Sequence, residues 1–113
     1  MRAVIVTSDK ELAAHVTVAD TFFSRLRGLL GARSFPQGEG LWIIPCRGVH
    51  TFGMLFPIDL LFLDAEQRVL TSVFSLLPNR LSPVYRRAAS VLELPAGTMA
   101  GTPPAAGEQV LFL

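Results

Sequence analysis

The chain has 113 residues, 50% of them hydrophobic and 17% charged, with a formal net charge of +1. High apolar content with little charge excludes intrinsic disorder, and the length suits one β-rich domain spanning residues 1–113. Ten Lys+Arg against nine Asp+Glu leave no basic excess for a nucleic-acid partner.

The elements follow in chain order. Ala3 to Val6 is a short apolar strand candidate, and a second covers Leu12 to Val18 around His15. Asp20 then precedes Thr21-Phe22-Phe23-Ser24-Arg25-Leu26-Arg27-Gly28-Leu29-Leu30. Phe22, Phe23, Leu26, Leu29 and Leu30 fall on one helical stripe, so a helix over Thr21 to Leu30 is predicted, capped by Asp20 and ended by Gly31. Beyond it the pattern is β. Leu41 to Ile44 is a strand stopped by Pro45, and Val49 to Leu55 is extended. Ile58 to Leu63 is apolar on both faces, as a strand covered from two sides requires. Asp64 to Gln67 is a hairpin connection from which Arg68 to Leu76 returns antiparallel. Pro78 to Arg87 and Thr102 to Gly107 are loops, and Ser90 to Leu94 and Glu108 to Leu113 are strands. Short strands with regular turns and one helix predict a mostly β fold, a small antiparallel β-sandwich or barrel capped by the amphipathic helix.

Other features narrow the function. The lone cysteine, Cys46, excludes an internal disulfide framework. No run of about 20 apolar residues is present to form a membrane-spanning helix. The expected location is cytoplasmic, or periplasmic where a leader has been removed. So much apolar residue in a small chain also leads us to expect a homodimer.

The segments Arg25 to Leu30, Glu39 to Cys46, His50-Thr51-Phe52-Gly53-Met54-Leu55-Phe56-Pro57-Ile58-Asp59, Phe62-Leu63-Asp64 and Val91 to Gly97 carry a family likeness. The chain resembles the bacterial and archaeal family called domain of unknown function 192 over nearly its whole length. It departs from the family pattern in the hairpin after Phe62-Leu63-Asp64, where Glu66-Gln67 stands in place of the usual glycine. The resemblance implies a compact β-rich fold and brings no assigned reaction.

Asp59 is the sharpest oddity, a carboxylate between Ile58 and Leu60 in an otherwise apolar strand. Such a charge costs several kcal/mol unless it is paired or hydrogen-bonded, and His50 or Arg25 is the expected partner. Cys46, His50 and Asp59 have the residue types of a thiol nucleophile with base and orienting group. With His15 they could also be weighed as zinc ligands, but a second cysteine or paired histidine is missing, so no metal is expected. No cofactor is expected either, since there is no Gly-x-Gly-x-x-Gly fingerprint and no phosphate loop. Glu93 is expected to point outward or to pair with Arg86 or Arg87.

These residues predict a non-catalytic module that binds a small polar ligand or an extended partner segment near His50 and Asp59. Arg25, Cys46, His50, Thr51 and Asp59 are the candidate ligand-binding residues. Leu41 to Ile44 and Glu108 to Leu113 are candidate edges for an added strand. The alternatives are a thiol-dependent or metal-assisted enzyme using Cys46, His50 and Asp59, and a structural dimeric accessory protein.

Overall fold

The apolar run Ile58–Leu63 lies inside a sheet that is covered on both faces. The computed structural model describes residues 1–113. In chain order it contains β1 (Ala3–Ile5), β2 (Glu11–Ala13), β3 (His15–Ala19), α1 (Phe22–Arg27), β4 (Glu39–Ile43), β5 (Ile58–Leu63), β6 (Val69–Leu76), β7 (Ser90–Pro95) and β8 (Val110–Phe112). One sheet has the order β2-β1-β8 and the other β3-β4-β7-β5-β6. The mostly β expectation holds, as a two-sheet sandwich with one short helix.

All six residues of β5 and all six of β7 are buried, because each strand packs on two sides. One face of the five-stranded sheet meets the small sheet through Leu61, Leu63, Leu92 and Leu94 on one side and Ala3, Ile5, Leu12 and Val110 on the other. Gly40 permits this close approach, since a Cβ there would meet the Ala13 side chain at 3.2 Å. Trp42 of β4 stacks on Phe112 of β8 with centroids 3.8 Å apart. The opposite face carries Ile58, Leu60, Phe62 and Val91 beneath Met54 and Ala88. Backbone hydrogen bonds from Val69 to Glu108 and from Val110 to Gln67 stitch the two sheets at one corner, and Val16 to Met1 stitches another.

The structure corrects four expectations. The Leu12 to Val18 strand is two strands in different sheets. The chain changes sheet at Ala14, where the amides of Ala14 and His15 both donate to the Gly38 carbonyl. The helix is six residues long. Its cap is Thr21, whose hydroxyl accepts from the Ser24 amide at 3.0 Å while Ser24 Oγ accepts from the Thr21 amide at 2.9 Å. It ends at Gly28, which takes a φ of +50°, and not at Gly31. Shortening the helix splits the predicted stripe. Leu29 and Leu30 pack on the core, whereas Phe22, Phe23 and Leu26 remain 66%, 77% and 59% exposed.

Thirdly, the antiparallel pattern contains one parallel pair, β3 with β4. A parallel connection needs a crossover of a dozen or more residues, and the segment holding α1 supplies it. That pairing makes β4 an interior strand between β3 and β7, so Leu41 to Ile44 offers no edge. Finally, Val49 to Leu55 forms no strand, only the isolated bridge His50–Leu81. In the β5–β6 hairpin, Gln67 stands at φ +59°, the left-handed position that glycine adopts most readily. The Asp64 carboxylate steadies this turn by accepting from the amides of Glu66 and Arg68, both at 2.9 Å.

Candidate functional site

Strand alternation decides which polar side chains meet. Directly opposed residues share a face, and Asp59 opposes Leu94 whereas Glu93 opposes Leu60 and Leu41. The two carboxylates therefore point to opposite faces of the sheet. Asp59 is 1% exposed, yet neither His50 nor Arg25 is its partner. Oδ1 accepts from the Ser75 amide at 2.8 Å, and Oδ2 from the amides of Gly97 and Met99 at 3.2 and 3.3 Å. The expected ion pair is replaced by three backbone donors, which fasten the β7 exit to the end of β6.

Thr51 is likewise committed to the fold. Its hydroxyl donates to the Leu77 carbonyl at 2.6 Å and accepts from the Arg80 amide at 2.9 Å, tying the loop after Pro45 to the loop after β6. His50 is exposed, with Nδ1 accepting from the Phe52 amide at 3.3 Å and its ring stacked on Phe52.

On the Glu93 face, α1 and the Pro45–His50 segment enclose a cleft of about 370 Å³. Arg25, Arg27, Cys46, Arg47, His50 and Glu93 supply its polar groups. Phe22, Leu26, Leu29, Val49 and Met54 supply apolar wall. Thus Arg25, Cys46 and His50 come together here, while Thr51 and Asp59 lie outside the lining. Arg25 Nη1 donates to the Pro45 carbonyl at 3.3 Å, but its Nε is buried with no partner. Glu93 is 3% exposed and held in mid-sheet by pairing with both β4 and β5. Burial alone pushes its carboxyl up to about 8. No group of three His, Cys, Asp and Glu side chains is placed to hold a metal ion, and His15 is exposed on β3.

Residues 4–112 match the family of domain of unknown function 192, described as an uncharacterized ACR. The chain belongs to this family. A UPF0127 protein of Pyrococcus horikoshii is 32% identical over 113 residues, covering 94% of this chain and 96% of that protein. A UPF0127 protein of Thermococcus sibiricus is 35% identical over 69 residues, covering 57% of this chain and 44% of its own length. A crystal structure of a Novosphingobium aromaticivorans protein of unknown function superposes with a TM-score of 0.83 at 18% identity, over 99% of this chain and 84% of that one. That likeness shows the shared fold.

Within this member of the family, Cys46 lacks the surroundings of a nucleophile. Its thiol donates to the Gly48 carbonyl at 3.2 Å and has no hydrogen bond to His50. Burial pushes the thiol up, and the Glu93 carboxylate adds to this; a Gly48 backbone contact and the Arg25 guanidinium act the other way. Because the thiolate is the reactive form, Cys46 is expected to alkylate with iodoacetamide more slowly than a free model thiol at neutral pH. Faster alkylation would mark an activated thiol.

Glu93 is the site residue that sequence reasoning placed wrongly, since it faces inward and pairs with neither Arg86 nor Arg87. The signal was available in Val91-Leu92-Glu93-Leu94. A charge inside a strand with apolar residues at both alternations is buried whichever way it points, as the same logic held for Asp59.

Proposed function

We propose that this protein is a non-catalytic binding module, with a small polar ligand seated in the cleft between α1 and the Pro45–His50 segment. Glu93 carries this reading. Buried polar groups are almost always hydrogen-bonded, and Arg25 Nε in the same cleft is buried with no partner. The Glu93 carboxyl makes no hydrogen bond and no ion pair within the chain, and its oxygens open onto the cleft, where a ligand donor can reach them. The cleft volume falls in the roughly 300–1,000 Å³ range of small-molecule sites, and its mix of apolar wall and few polar groups is the usual lining. The polar centre is thus Arg25, Cys46, His50 and Glu93.

An added partner strand has less support. β4 is interior, and the outer edge of β8 is partly taken where the Val110 amide donates to Gln67 and the Glu108 carbonyl accepts from Val69. Mass spectrometry of extracts from protein purified from its native host tests the proposal. Wild type is expected to release a small molecule in near-stoichiometric amount, and Glu93→Gln to release none. A wild-type preparation that carries nothing, and that no small polar metabolite stabilises against heat, would overturn it.

A further inference from the structure

The cleft holds two complementary groups that do not satisfy each other. Glu93 offers an acceptor on the floor, and Arg25 offers a buried Nε–H with no partner. No ion pair joins them, the one salt bridge in the protein being Arg2–Glu11. Both line the same cleft, with Cys46 beside them, so they flank one space. The remaining charged residues of the lining, Arg27 and Arg47, are both cationic. An ammonium group alone would leave Arg25 unsatisfied and face three guanidinium groups. A carboxylate alone could accept from the protonated Glu93 but would leave its other oxygen without a donor.

The geometry points to a free α-amino acid with an aliphatic or aromatic side chain, its ammonium group on Glu93, its carboxylate on Arg25 and its side chain against Phe22, Leu26 and Met54. This rests on the reading of the cleft as a ligand site. Burial raises the Glu93 carboxyl to about 8, so it is mostly protonated at neutral pH. Seating an ammonium group beside it ionises the carboxyl and releases its proton to solvent. The other titratable and charged groups facing this space are Arg25 and Arg27 from α1, and Cys46, Arg47 and His50 from the following segment.

Isothermal titration calorimetry at neutral pH, in two buffers of different ionisation enthalpy, reads both affinity and proton release. The probes are L-leucine, L-phenylalanine, leucinamide, N-acetyl-L-leucine and the peptide Leu-Gly-Gly. L-leucine or L-phenylalanine is expected to bind with release of a large fraction of one proton, and leucinamide and N-acetyl-L-leucine at least about tenfold more weakly. Glu93→Gln should abolish the proton release, and Arg25→Gln should reduce L-leucine to the affinity of leucinamide. Leu-Gly-Gly binding as tightly as L-leucine would assign the site to a peptide N-terminus and overturn the free amino acid. Tighter binding of N-acetyl-L-leucine, or binding of none of the five probes, would also overturn it. A molecule without an amine recovered from host-purified protein would reject this ligand class while leaving the cleft a binding site.

Discussion

Asp59→Asn is expected to be the most destabilising polar substitution in this protein, lowering stability by about 3 kcal/mol. Each carboxylate oxygen is engaged, one by Ser75 and the other by Gly97 and Met99. An asparagine has a single acceptor oxygen and directs an NH2 group at the remaining donors. One orientation strands the Ser75 amide, and the other strands two amides beside the β7 exit. Hydrogen bonds to a charged acceptor contribute about 1.5–3 kcal/mol each, and stranded buried donors add their desolvation. For a domain of this size the melting temperature should fall by roughly 10–15 °C. Because Asp59 lies on the face away from the cleft, the folded fraction should bind any cleft ligand as wild type does. A small change in melting temperature, or a selective loss of binding without a loss of stability, would contradict this assignment.

Glu93→Gln should act in the opposite direction, and its effect should depend on pH. The Glu93 carboxyl is raised from its ordinary 4.5 to about 8 in the fold. Below about pH 4.5 it is protonated in both the native and the unfolded chain, so it adds no pH dependence there. Between 4.5 and 8 the unfolded chain gives up the proton and the native state keeps it. Native protein then binds more protons, so stability falls as pH rises, with a limiting slope of about 1.4 kcal/mol per pH unit. Above 8 both states are ionised and the loss levels off. Glutamine does not titrate. The variant should therefore match wild type near pH 4.5 and exceed it by on the order of 4 kcal/mol near pH 8. Thermal melts of ligand-free protein across this range provide the check, and parallel pH profiles for the two proteins would show that Glu93 has a partner or is solvated.

The two experiments separate buried carboxylates that look alike in the sequence. Ile58-Asp59-Leu60 and Leu92-Glu93-Leu94 both set an acid between apolar residues, and both acids are buried. Asp59 is satisfied by the chain itself, and Glu93 is not. Nothing in either triplet encodes that distinction. It comes from the antiparallel register, which opposes Asp59 to Leu94 and Leu60 to Glu93 and so sends the two acids to opposite faces. One face meets the turn after β7, with its free amides. The other meets a cleft.

The amino-acid sequence by itself determined the β character, the two-sided burial of Ile58–Leu63, the turn chemistry at Asp64, and the likeness carried by residues such as His50-Thr51-Phe52-Gly53-Met54. These are local properties, set by side-chain periodicity and by the backbone preferences of a few turn residues. Only the tertiary structure decided that β3 runs parallel to β4, that α1 leaves Phe22, Phe23 and Leu26 in solvent, and that Arg25, Cys46, His50 and Glu93 share one cleft without Asp59. Those outcomes depend on pairings between residues far apart in the chain. A one-residue difference in strand register exchanges the two faces of a sheet, and the pattern within a single strand carries no record of what each face will meet.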